Sequence, residues 1–294
     1  MPSRFVLINC PGLGVGDVRN SSSSNHSIEK LLKYAYESQL NCDLSGLETI
    51  GFEAFVKYQG NVARRSSVTA RLASRKIHGL NDFEALNETG GGDETHLPVF
   101  ATFSGAESEN TQDDIFPISI GSDESIIPSF EHFFVESDSG TRENLIEVCS
   151  APLVRNEFVM ATFSDFREAA LEANPTFAAA CLVHLSKTIS DLLPLLGAND
   201  GLMVLSTTAI DVTAAKPEFR NELTPMMYHT PMGQIADLGL RLLSDVGPSI
   251  AEFFGLDRRS LIGASMGKWM AAIQDSTNKQ EENPQEQSQS QLHS

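Results

Sequence analysis

Residues 4–17 read RFVLINCPGLGVGD, an unbroken apolar run, FVLIN (5–9), that collapses into glycines and ends on an acid. A short continuous apolar run bounded by turn residues marks a strand buried on both faces, the kind found in parallel sheets covered by helices. FPISIG (116–121), EFVMATF (157–163) and GLMVLST (201–207) repeat the signal. Between them, SIEKLLKYAYESQL (27–40), TRENLIEVC (141–149) and PTFAAACLVHLSKTISDLLPLL (175–196) place apolar residues at helical spacing. This alternation predicts an α/β fold, a mostly parallel sheet sandwiched by helices. The stretch ADLGLRLLSDVGPSIAEFFGL (236–256) reads as a closing helix divided by Gly247-Pro248.

Composition narrows the function classes. A chain of 294 residues that is 41% hydrophobic can bury a large core. Residues 1–273 are expected to form it, whereas 274–294, polar and without aromatic residues, reads as a disordered tail. A net charge of −18 excludes a nucleic-acid partner, because phosphate backbones are bound by clustered Lys and Arg. The apolar runs fall short of the roughly 18 residues that span a bilayer. No membrane partner is therefore expected, and with no secretory signal at the N-terminus the expected location is the cytoplasm. Cys10, Cys42, Cys149 and Cys181 lie far apart, without zinc-ligand spacing, and read as free thiols.

Three local motifs carry little. GLGVGD (12–17) lacks the GxGxxG spacing of a dinucleotide loop. Gly263-Ala264-Ser265-Met266-Gly267 matches GxSxG, but it follows no strand and only His293, in the tail, comes after it. His26, His78, His96, His132, His184 and His229 are scattered, with no close pair to hold a metal.

The order of segments is more specific. FVLINCPGLGVGD, NCDLSGLETIGF (41–52), SIGSDESIIPSFEHFF (119–134), and the late series EFVMATFSDF, GLMVLSTTA, ELTPMMYHTP and DVGPSIAEFFGL resemble phosphopentomutase, a member of the alkaline phosphatase superfamily. The NCDLSGLETIGF segment is similar to that family's Asn-Leu-x-x-Leu-Gly turn through Asp43-Leu44, Leu47 and Ile50-Gly51. The resemblance implies an alkaline phosphatase-like core, a pair of divalent metals, usually manganese, and a phosphorylated threonine.

This chain departs from the family's ligands position by position. The Asp at the end of the first strand falls on Asn9. The Asp-His pair after the late strand falls on Thr208 and Ala209, and the next His on Phe219. In Ser164-Asp165-Phe166-Arg167 the first acid survives, but the ligand Asp becomes Arg167 and the His beyond it becomes Glu172. The nucleophile region would lie over LNETGGGD (86–93), with Asn87 at the first Thr and Thr89 as the remnant of the second. About twenty-five residues separate Gly92 from FPISIG, too few for the cap domain that closes such sites.

Two dications held side by side need several carboxylates and imidazoles. The expectation is therefore a pseudoenzyme with no cofactor and no catalytic residue, which meets a protein partner or a small phosphorylated ligand. The competing expectation is a metal-dependent phosphotransferase or hydrolase with a rebuilt site. That site would hold Mn²⁺ or another divalent ion through Asn9, Glu172 and Asp211, with Asp17 or Asp165 nearby.

Overall fold

The structure is a computed structural model and describes residues 2–16, 26–56, 67–73, 115–122, 130–217, 219–220, 222–229, 235–256, 261 and 263–270. Its strands are β1 (Arg4–Asn9), β2 (Ser67–Ala73), β3 (Ile115–Gly121), β4 (Glu131–Phe134), β5 (Asn156–Thr162), β6 (Gly201–Leu205), β7 (Thr224–His229) and β8 (Ala236–Leu242). Its helices are α1 (Ser27–Glu37), α2 (Ser45–Thr49), α3 (Asp138–Ser150), α4 (Asp165–Leu171), α5 (Pro175–Leu192), α6 (Val246–Phe253) and α7 (Gly267–Met270).

The strands form one sheet in the order β4-β3-β5-β1-β6-β7-β2-β8. β7 runs antiparallel to β6 and β2, and the other pairings are parallel. The fold is thus α/β with a mostly parallel sheet, as the alternation of segments predicts.

The pleat divides β1 between two cores. Val6 and Ile8 pack with Leu31 of α1, Leu47 of α2 and Leu182, Leu185 and Ile189 of α5. Phe5 and Leu7 face the other way, onto Tyr228, Val246 and Ile250, with α6 as the cover. Each of those four β1 side chains is at most 2% exposed, which is why the run carries no polar residue until Asn9. α5 starts where its sequence signals it should, with Pro175 at the first turn and the Asn174 side chain accepting from the Phe177 N–H at 3.1 Å.

The expected helix over 236–256 is corrected. Ala236–Leu242 is strand β8, paired with β2, and only Val246–Phe253 is helical. Leu238, Leu240 and Leu242 recur at a period of two, and Gly239 sits at φ 63, where a helix cannot continue. A register shift opposite Thr69 and Arg71 absorbs this irregularity. Pro248 lies in the first turn of α6, where its missing N–H costs no hydrogen bond. Strands β2, β4 and β7 add to those read from the sequence. Among the described residues, no helix is long and apolar enough to cross a membrane.

Candidate functional site

In an open α/β sheet ligands bind beyond the carboxyl ends of the strands. β5, β1 and β6 end there side by side, with Asn9 in register with Thr162 on one flank and Leu205 on the other. Beyond β1 the chain turns at Gly12, whose N–H donates to the Thr208 carbonyl at 3.0 Å. The Gly12 carbonyl in turn accepts from the Ile210 N–H at 2.9 Å.

Gly12 holds φ at 108, and a Cβ there would stand 3.0 Å from the Phe166 ring and 3.6 Å from the Arg167 Cα. Glycine at this position lets the first turn of α4 pack against the β1 exit. The structure therefore gathers Asn9, Thr208, Ala209 and Arg167 around one loop. Phe219 is bridged to Ile210 beside them, but its ring is 57% exposed.

Glu172 is not part of this group. It caps the far end of α4 and is exposed, and a helix rise of about 1.5 Å per residue puts it about 10 Å along the axis from Asp165. Asp211 is also committed elsewhere. Its Oδ2 accepts from Lys30 Nζ at 2.6 Å, and its Oδ1 accepts from the Thr213 hydroxyl at 2.7 Å. Arg220 adds a second cation at 3.8 Å. Burial pushes the Asp211 carboxyl up, but the bonds from Lys30 and Thr213 outweigh it and hold it below the usual carboxylate range. Asp17, Asn87, Thr89 and the tail 274–294 lie outside the described residues.

At the strand ends some buried polar atoms lack partners. Asn9 is 1% exposed; its Oδ1 accepts from the Thr207 hydroxyl at 3.4 Å, while its Nδ2 has no hydrogen-bond partner. Thr162 Oγ1 and Thr208 Oγ1 are buried and equally unpaired. All three residues stand at or just beyond the carboxyl ends of β1, β5 and β6. Thr162 could not be found from sequence, because a threonine ending a strand is ordinary. Its register with Asn9 is what singles it out.

A second polar cluster lies on the opposite face, where Cys10 follows the side of Val6 and Ile8. The N-termini of α3 and α4 meet there. Asp165 Oδ2 accepts from the Asp138 N–H, and Asp138 Oδ1 accepts from the Asp165 N–H, each at 3.2 Å. Burial, then the neighbouring Asp165 charge, pushes the Asp138 carboxyl up to about 7. Burial, helped by Asp138, also raises the Cys10 thiol well above its ordinary value and leaves it a poor nucleophile.

The formal GxSxG sits on a loop, not on a strand-to-helix elbow. Ser265 Oγ accepts from the Gly267 N–H at 2.9 Å, and the Met266 N–H donates to Ser249 Oγ at 2.8 Å. His132 pairs across the β3–β4 register with Ser119, Nδ1 to Oγ at 2.7 Å, but Ser119 is only 1% exposed. No substrate can reach that hydroxyl in this arrangement.

The described residues of the carboxyl edge do not suit a pair of dications. Asn9 offers one neutral oxygen, Thr208 and Ala209 bring no carboxylate or imidazole, and Arg167 brings a positive charge. Among the described residues, no three His, Cys, Asp or Glu side chains are grouped to hold a metal ion.

No family model matches the sequence, and no curated protein matches it. Solved structures do match. The Bacteroides thetaiotaomicron protein BT33494S-sulf, solved in work on the metabolism of multiple glycosaminoglycans, superposes with a TM-score of 0.55 at 8% identity, covering 94% of this chain and 78% of its own. Ps i-CgsB in complex with k-i-k-neocarrahexaose gives 0.52 at 11% identity, covering 92% and 76%. A putative sulfatase from Bacteroides thetaiotaomicron VPI-5482 gives 0.48 at 12% identity, covering 94% and 76%. At these identities the likeness speaks for architecture alone: the chain has the alkaline phosphatase-like α/β fold.

Proposed function

We propose that the chain is a phosphopentomutase-like pseudoenzyme of the alkaline phosphatase superfamily, with a non-catalytic binding or regulatory role. The observation that carries the reading is the chemistry at the ends of β1 and β6. Asn9, Arg167, Thr208 and Ala209 stand around one loop and supply no carboxylate or imidazole. Without such ligands two dications cannot be neutralised, and a threonine nucleophile is not activated. The occupied Asp211 and the remote, exposed Glu172 weigh against a rebuilt one-metal site. A reducing, cytoplasmic location belongs to the same proposal and is supported by four free thiols, three of them buried.

The test is elemental analysis of natively purified protein alongside assays of phosphate- and sulfate-ester hydrolysis with and without added Mn²⁺. We expect substoichiometric metal and no turnover above background. Two tightly held metals per chain, with turnover that depends on them, would sink the proposal.

A further inference from the structure

Helix α3 begins weakly. Its first turn, Asp138-Ser139-Gly140-Thr141, holds no apolar side chain, and the first apolar residue the helix buries is Leu145. Gly140 is a poor helix former. Glu136, Ser137 and Ser139 are exposed, so Asp138, at 4% exposure, is a buried acid set among surface residues. α4 is fixed differently, through Phe166, Ala169 and Ala170, each at most 2% exposed.

What ties the first turn of α3 to its neighbours is polar. The Asp138 N–H donates to Asp165 Oδ2 and the Asp165 N–H to Asp138 Oδ1, both at 3.2 Å, so each acid satisfies a donor in the first turn of the other's helix. The Thr141 hydroxyl reaches the Thr162 carbonyl only at 3.5 Å. His184 Nε2, 3.2 Å from the Asp138 carbonyl, donates there whether its ring is neutral or charged.

The groups facing Asp138 are mainly acids and thiols. α4 brings Asp165 and Glu168, α5 brings Cys181 and His184, and the end of β1 brings Cys10. Arg142, one turn along α3, is paired with Asp191 of α5. Two carboxylates held together out of water repel each other, and burial by itself disfavours the charged form.

We infer that the junction of α3 and α4 is a proton-operated latch. With a proton on the Asp138 carboxyl, the reciprocal bonds hold the first turn of α3 against α4. Loss of that proton sets two carboxylates against each other. The first turn of α3 then yields outward, because no apolar side chain anchors it, while α4 and the part of α3 from Leu145 onward stay in place. Both acids act on Cys10, the residue after Asn9, so the latch opens beside the end of β1.

The test is amide hydrogen exchange of the full chain, followed by NMR from pH 5 to pH 8.5, with each rate divided by its intrinsic base-catalysed rate. Asp138 keeps its proton up to about 7 with the latch closed, against about 3.9 for a free aspartate. Protection of the Asp138, Thr141 and Asp165 amides should therefore fall at least about ten-fold between pH 5 and pH 7 and level off above that. At pH 7 these amides should exchange at least about ten-fold faster than those of Val6 and Val159 in the core, the mark of a local opening. Asp138→Asn keeps an acceptor and has no proton to lose, so it should abolish the pH dependence. Asp165→Asn removes the neighbouring charge and should make the fall smaller, which keeps the test in hand should the first variant not fold. Protection that is flat with pH in the parent overturns the inference. A fall of the parent's size in either variant overturns it too, because another group, such as His184, is then titrating. Exchange at the same rate as Val6 and Val159 also overturns it, because the chain then opens only as a whole.

Discussion

Asp138 is the residue whose ionisation costs the fold most plainly. Its carboxyl is buried, faces Asp165, and feels Glu168 beyond it, while the Asp165 and Ser164 backbone N–H groups only partly offset these effects. Cys10, Cys181 and His184 complete its surroundings, the last with Nε2 at 3.2 Å from the Asp138 carbonyl. An acid raised to about 7 when folded, against about 3.9 when unfolded, binds its proton more tightly in the native state. Its contribution is therefore fully present below about pH 4 and is lost as pH rises through 7. Asp138→Asn keeps an oxygen to accept from the Asp165 N–H and has no charge to bury. Chemical denaturation at several pH values should show this variant more stable than the parent at pH 8, with the advantage shrinking towards pH 4. An advantage that does not change with pH would mean the carboxyl pair is not coupled in this way.

At the scale of elements, close approach is set by glycine. Gly46, in the short helix α2, lies against α5: its N–H donates to Ser186 Oγ at 3.1 Å, and an added Cβ would meet the Ser186 carbonyl oxygen. Gly46→Ala should push the two helices apart and destabilise by roughly 1–3 kcal/mol, the usual cost of overpacking. A melting temperature within a degree of the parent would show that α2 is free to shift.

How far the sequence reveals these elements depends on where each is buried. FVLIN and GLMVL are buried on both sides and read as strands at once. SVTARLA (67–73) carries a half-buried arginine, TPMMYH (224–229) opens on Thr-Pro, and ADLGLRL (236–242) fits both periods, so their pairing partners decide them. The site divides in the same way. Order and spacing lead to Asn9, Thr208 and Ala209, whereas Thr162 and Asp138 become visible only when β1 and β5 are in register and α3 meets α4. Glu172 shows the other side of this: counting residues along a motif does not reveal that the residue caps the exposed far end of α4.

For the whole molecule, the question is how much of the chain the core needs. The two apolar clusters that hold the sheet draw on residues from Phe5 to Met266. Beyond them, QDSTNKQEENPQEQSQSQLHS (274–294) has one leucine, no aromatic residue and no isoleucine or valine. Burial stabilises by about 25 cal/mol per Å² of apolar surface, and ordering a residue's backbone costs about 1–2 kcal/mol. A segment of that composition cannot recover its own ordering cost by docking on the core. Its acids also outnumber its single lysine, and the chain already carries a net charge of −18, so attraction to the folded surface does not make up the difference. Deleting 274–294 should leave the melting temperature within about one degree of the full chain. A drop of several degrees would mean that the tail packs on the core.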